Sequence, residues 1–307
     1  MRLHELVKLA EQLRGIHHRR HGTQTITEMI EPLMAIQQQL LMDLGPGTIL
    51  HRSRKCEAGQ RFNTLMEMIY PPPEKTGLGR ANLPAQPALY ASGNFHTTLD
   101  EIAAQPGDLV QTIAVRPVDG QRLLAFLVGE FQSVYNSGNS LVGYRKHEQF
   151  LQFQLRQLSV EDRAVQLFVD GFFAEAFRRE AKRPQEYLPT AVYASQLAAR
   201  DLAIVYPSVE TPHGINVAID RRLFDQTCEV VASQVVEVND YFGFGVYRWR
   251  QIAVSNSFSP NGEISWLEAD ANPNVQFGVQ PTLKGWRPRA APLSTGPATA
   301  GGTSTSC

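Results

Sequence analysis

The stretch Gly79-Arg80-Ala81-Asn82-Leu83-Pro84-Ala85-Gln86-Pro87-Ala88-Leu89-Tyr90, running on to Thr97-Thr98-Leu99-Asp100-Glu101, decides how this chain is read. Gly77, Gly79, Asn82, Pro84 and Pro87 crowd turn chemistry into its first part. Ala88-Leu89-Tyr90-Ala91 is then short, apolar and aromatic, as a buried strand requires. After the polar loop Ser92-Gly93-Asn94, the run Thr97 to Ile102 reads as the opening of a helix. One strand-loop-helix unit thus brings an Arg, a Tyr and a Glu to one sheet edge. Those side chains clamp anions, stack on flat rings and stabilise developing cations.

Upstream, Leu3, Leu6, Val7, Ala10 and Leu13 share a helical face, with Gly15 as the stop. His17-His18-Arg19-Arg20-His21 reads as a solvated basic linker, since adjacent histidines do not share a helix face as metal ligands would. Thr25-Ile26-Thr27-Glu28 has capping-box spacing. It predicts a second helix through Ile30, Leu33, Met34, Leu40, Leu41 and Leu44, ended by Gly45-Pro46-Gly47, with Pro32 tolerated early in it. This preface is expected to pack on the main domain. Thr48 to Arg52 reads as a first strand that delivers Arg52 at its end, and a long polar segment with Pro71-Pro72-Pro73 follows.

Downstream, Leu109 to Val115 and Leu123 to Val128 read as strands on either side of an Asp119-Gly120 turn. Ser159-Val160-Glu161-Asp162 opens a helix, with a cap and acids in its first turn. The stripe Val165, Phe168, Val169, Phe172, Ala176 on it reads as core. Pro189 suits the first turn of another helix. Leu202 to Val205 is strand-like, and Pro207 stops it, leaving Ser208 at a strand end. Asn216 to Ile219, Val230 to Val238 and Gly245 to Val254 complete the β-rich runs. The domain expectation is a helical extension over 1–47, a catalytic domain over 48–289 and a flexible tail over 290–307, rich in Gly, Thr, Ser and Pro.

With 307 residues, 43% hydrophobic and 19% charged, the chain can bury a sizeable core. A net charge of -1 gives no electrostatic footprint for nucleic acid. Cys56, Cys228 and Cys307 lack paired spacing, which argues against a disulfide scaffold or zinc site and fits a reducing compartment. No run reaches the roughly 18 apolar residues of a membrane helix, and the N-terminus lacks signal-peptide order. The expected location is cytoplasmic, although delivery into another cell by a dedicated machine would leave the same signature. Phosphate-loop, CxxC, HExxH and GxSxG patterns are absent.

The remaining chemistry is a dispersed set: Arg52, Arg80, Tyr90, Glu101 and Ser208. Singly, each has an ordinary structural reading. An Arg at a strand end makes a surface ion pair, a Tyr in an apolar strand is core, a Glu in a helix first turn complements the dipole, and a Ser after Pro is a turn residue. In order and spacing, however, the blocks Leu50-His51-Arg52, Gly79-Arg80-Ala81-Asn82 with Pro87-Ala88-Leu89-Tyr90, Thr98-Leu99-Asp100-Glu101, and Val205-Tyr206-Pro207-Ser208 with Asn216-Val217-Ala218 resemble the RES-domain family. The resemblance covers roughly residues 48 to 226. Ala81 stands where that family often has an aromatic, and the helical preface and the long region after the Ser block depart from its small toxins.

The resemblance implies an α+β fold with a split mixed β core and surrounding helices, ADP-ribosyltransferase-like, here carrying an N-terminal helical extension. It implies a toxin that degrades NAD at the nicotinamide–ribose bond, with NAD as substrate and no other cofactor, restrained by a cognate antitoxin or immunity protein. A homo-oligomer is compatible with it; nucleic acid and membrane partners are not expected. Glu101 is then the carboxylate that stabilises an oxocarbenium-like ribose. Arg52 and Arg80 hold the pyrophosphate. Tyr90 stacks on the nicotinamide ring, and Ser208 bonds the ribose or a phosphate. On this reading Arg52→Ala weakens NAD binding more than it affects the fold. Two alternatives stay open: an ADP-ribosyltransferase that modifies a macromolecule, with the segment from Cys56 to Lys75 recognising its acceptor, and a non-catalytic nucleotide-sensing module.

Overall fold

The computed structural model describes residues 3–15, 22–143, 145–269 and 285–288. The His17 to His21 run, Cys307 and the tail from 290 lie outside the described residues. Among those described, ten strands form one mixed sheet. They are β1 (Leu41–Leu44), β2 (Leu50–Lys55), β3 (Ala88–Ser92), β4 (Leu109–Pro117), β5 (Leu123–Leu127), β6 (Ala203–Pro207), β7 (Ile215–Asp220), β8 (Cys228–Tyr241), β9 (Tyr247–Ser255) and β10 (Leu267–Glu268). Their order is β1-β5-β6-β7-β3-β2-β4-β8-β9-β10, and β5 with β6 is the parallel pair. Among the described residues eight α-helices surround the sheet: α1 (Leu3–Arg14), α2 (Thr23–Ile36), α3 (Phe95–Glu101), α4 (Glu130–Ser137), α5 (Arg145–Gln157), α6 (Val160–Arg178), α7 (Leu188–Ala198) and α8 (Arg221–Thr227). The fold is α+β.

Alternation along the strands sorts side chains onto two faces. Val205, Val217, Leu89, Ala91 and Leu50 enter one core with residues of α4, α5 and α8. Ile204, Tyr206 and Ala218 enter a second core with α1, α2, α6 and α7, in which Phe173 and Tyr193 lie 4.0 Å apart by ring centroid. The N-terminal helices therefore pack on the main body. Leu6, Ala10, Leu13, Ile26, Ile30 and Leu33 are buried there, and Arg14 pairs with Glu175 at 2.8 Å.

Several local expectations change. The second helix begins at Thr23 behind Gly22, with no side-chain cap, so the Thr25 box is not used. It ends at Ile36, with Pro32 in its interior rather than its first turn. The missing N–H of Pro32 is offset by the buried face Ile26, Ile30, Leu33, Met34. Leu41–Leu44 is a strand paired with β5 rather than the end of that helix. A four-residue stretch with Asp43 among its apolar residues is too short to be decided by period, and the open sheet edge decides it. Arg52 sits inside β2, not at its end. Glu101 is the last residue of α3 rather than part of its first turn; the Asn94 side chain caps that helix by accepting from the Thr97 N–H at 2.8 Å. The segment between β2 and β3 folds into short 3-10 turns and buries Leu65, Met68, Ile69 and Tyr70.

One feature positions the site. The junction of β3 and β2 holds a single register pair, His51 with Ser92, whereas β2 with β4 holds six. The sheet splays there and opens a cleft.

Candidate functional site

The splay leaves a cavity of about 190 Å³ on the α3 side of the sheet. Its floor follows from register. Tyr206 faces Asn216 across β6 and β7, Asn216 faces Ser92 across β7 and β3, and Ser92 faces His51 across β3 and β2. Four side chains thus form one transverse row, all lining the cleft. Polar groups in otherwise apolar strands need partners. The Ser92 hydroxyl donates to Asn216 Oδ1 at 2.6 Å, and the Asn216 amide donates to Glu101 Oε1 at 2.6 Å.

Glu101 reaches this row because α3 lies across β2 and β3. The Ser53 hydroxyl, on β2, is within hydrogen-bond distance of both Thr98 of α3, at 2.5 Å, and Thr112, at 2.7 Å. The Ser208 hydroxyl donates to Glu101 Oε1 at 2.6 Å. The same oxygen of Ser208 accepts from the main-chain N–H of Glu210 and Thr211 at 3.2 and 3.0 Å. The hydrogen bonds that Ser208 and Asn216 make to the Glu101 carboxylate therefore both fall on Oε1, and the residue is solvent-exposed at the cleft rim. The neighbouring Asp100 holds the same framework: it accepts from Tyr247 Oη at 2.6 Å and from Thr211 Oγ1 at 2.7 Å. This ties α3 to β9 and to the loop after Ser208.

Arg52 closes the split from the other side. Its Nε donates to the Met68 carbonyl at 2.8 Å and one terminal nitrogen donates to the Tyr90 carbonyl at 3.0 Å. Burial, and secondarily the charge of Arg54, lowers its pKa to about 10. No ion pair joins it to a carboxylate among the described residues. A desolvated guanidinium satisfied by carbonyls alone favours an anion nearby.

The Tyr90 ring lines the cleft, but its hydroxyl is anchored: it donates to Asn82 Oδ1 at 2.7 Å and accepts from the Ala81 N–H at 2.8 Å. Burial raises its pKa well above the ordinary value. Glycine suits position 79 beside this pair, since a methyl there would run into Asn82 Oδ1 and the Tyr90 hydroxyl. Arg80 does not line the cavity. It donates to the Phe177 carbonyl at the end of α6 and lies over the Tyr187 ring at 5.2 Å. That is a helix C-terminal cap with a cation–π contact.

Of the five sequence candidates, Arg52, Tyr90 and Glu101 line one cleft, Ser208 bonds Glu101 directly, and Arg80 anchors the turn from outside. Sequence reading gave no role to Asn216, Ser92, His51 or Asp100. Asn216 carried a usable signal, a polar residue between Ile215 and Val217 in a strand. The contact of Asp100 with Tyr247 spans 147 positions and left none.

The cleft's residues fall inside a matched family region: the model of the RES domain matches residues 49–238. No curated protein and no solved structure shows a significant match to the chain. The family match covers more than half of the 307 residues, runs from β2 into β8 and takes in every strand of the cleft. The chain belongs to the RES-domain family.

Proposed function

We propose that this chain cleaves the nicotinamide–ribose bond of NAD. The observation that carries this is the Glu101 carboxylate at the cleft rim, fixed through Oε1 by Ser208 and Asn216. In NAD the ring nitrogen is cationic. When the bond to the ribose C1 breaks, both electrons go to nicotinamide, which leaves neutral, and the positive charge moves to an oxocarbenium-like ribose. No general acid is needed for such a leaving group. The requirement is a fixed anion beside the sugar, and Glu101 supplies it. The acceptor then bonds to C1. Water gives ADP-ribose and a proton; phosphate gives the ribosyl phosphate.

Arg52 contributes positive potential beside the cleft, suited to the pyrophosphate. The Tyr90 ring and the Tyr206 to His51 row supply flat and polar walls. Ser208 acts through Glu101 as a positioning residue. RES domains are associated with toxin–antitoxin systems, and an NAD-depleting chain needs a cognate inhibitor inside the cell that makes it.

One observation favours transfer to a macromolecule as the second reading. The β8–β9 turn exposes Phe242 and Phe244, the latter at 95%, and Asp100 and His96 of α3 hold its base. An aromatic tip so close to Glu101 is a surface an acceptor can meet. Mass spectrometry of NAD products, with and without phosphate, separates the outcomes. Free ADP-ribose or its phosphate supports degradation, label on a macromolecule supports transfer, and intact NAD with folded protein rejects both.

A further inference from the structure

The family match ends at residue 238, inside β8, yet a side chain beyond it reaches the framework of the site. Tyr247 opens β9 and stands opposite Tyr241, its stacked neighbour at 4.6 Å between ring centroids. It is buried with Leu99 of α3 and with Val110, Val236 and Val238, and Trp249 meets Phe95 of α3 edge-on at 5.4 Å. The β8–β9 hairpin is thus a surface on which α3 rests. A helix of seven residues has little stability of its own, so its last residue is placed by what the helix packs on.

A hydrogen-bonded circuit passes that placement to Glu101. Tyr247 Oη donates to Asp100 Oδ1 at 2.6 Å, and Thr211 Oγ1 donates to Asp100 Oδ2 at 2.7 Å. The Thr211 N–H donates to Ser208 Oγ at 3.0 Å, and Ser208 donates to Glu101 Oε1 at 2.6 Å. The peptide bond between Asp100 and Glu101 closes the ring. Asp100 is buried, so both of its oxygens need donors, and the donor to Oδ1 comes from β9. The hairpin turn is shaped for this approach: Gly245 has a φ of 72°, and a methyl there would lie 3.0 Å from Asp100 Oδ2. Burial, and then the bond to Asp100, raise the Tyr247 pKa and keep the phenol a donor. We propose that Tyr247 is a positioning residue for NAD cleavage, acting through Asp100 on the Glu101 carboxylate, so that the segment following the family region completes the site. This rests on the NAD reading above and adds to it a residue that the family region does not contain.

Tyr247→Phe in the full-length chain keeps the ring and its stacking and removes only the donor. Steady-state kinetics with NAD should show kcat lowered about fivefold to fiftyfold and KM changed less than about twofold. Tyr241→Phe alters the stacked partner but no bond to Asp100, and should leave both constants within about twofold of the wild type. Tyr247→Phe combined with Ser208→Ala should lose less kcat than the product of the two single losses, because both act on one carboxylate. Thr211→Val, which removes the other donor to Asp100, takes the place of Tyr247→Phe in both measurements if that variant does not fold. A wild type with turnover and an unchanged kcat in the folded variant, or losses that simply multiply, overturn this proposal and leave the reaction standing. A folded wild type without turnover rejects the reaction, and this proposal with it.

Discussion

Ser208 donates its hydroxyl hydrogen to Glu101 Oε1 at 2.6 Å while its oxygen accepts two main-chain N–H groups of its own loop. The loop after β6 therefore fixes the carboxylate at the end of α3. Ser208→Ala removes one of the two donors to Oε1 and leaves the Asn216 bond in place. NAD turnover should fall about tenfold to a hundredfold, with a smaller change in KM, because a positioned charge is blurred rather than deleted. Steady-state kinetics at fixed pH checks this, and an unchanged kcat removes Ser208 from the site.

The Tyr90 hydroxyl joins the Gly79 to Asn82 turn to β3. Tyr90→Phe leaves Asn82 Oδ1 and the Ala81 N–H without that partner and should cost about 1–3 kcal/mol. Gly79→Ala meets the same pair sterically and should cost at least about 1–3 kcal/mol. Denaturant unfolding measures both.

Arg52 serves fold and site together, which changes the expectation drawn from sequence. Its donors hold the Met68 and Tyr90 carbonyls across the splayed strands, so Arg52→Ala should lower stability by about 2–4 kcal/mol as well as weaken NAD binding. Arg52→Lys keeps the charge but cannot span both carbonyls with one planar fork, and should recover binding more than stability. Melting curves with and without NAD separate the two effects.

His51 makes stability depend on pH. Burial holds its folded-state pKa down, at about 4 against an ordinary 6.5. Between those values the unfolded chain binds a proton that the folded chain does not, so stability falls as pH drops through that window. The contribution is on the order of 3 kcal/mol once pH is below both values. His51→Gln should flatten that part of the stability profile, measured by urea unfolding from pH 7 to pH 4.

Burial pushes the Cys228 thiol up to about 12 and the Cys56 thiol up to about 11. In a Cys307→Ser background, both should resist iodoacetamide at pH 8 in the native chain and react on unfolding. Mass spectrometry of the alkylated chain reads this directly.

Short-range chemistry was legible in the sequence. The Ala88 to Ala91 strand, the Ser159 cap and Pro189 in the first turn of α7 are fixed by neighbours a few residues away, and all are found. The dispersed motif blocks also led to the family and to the residues that meet in the cleft. What escaped depends on distant partners. Leu41–Leu44 becomes a strand only because β5 offers an edge. Arg80 turns to the end of α6, 97 positions away, instead of the cleft. The helices α4 and α5 drew no reading: α4 is short and flanked by glycines, and α5 is largely polar on its outer face.

The most direct test of the account is nicotinamide release from NAD by the wild type and by Glu101→Gln, both verified as folded by their melting curves. Gln keeps the shape and the acceptor oxygen but removes the charge. The wild type should release nicotinamide, and the variant should lose at least about 99% of that activity, as expected when a charge facing the transition state is removed. A folded wild type that releases no nicotinamide, or a Glu101→Gln variant that releases it at a near-normal rate, would contradict the proposed reaction.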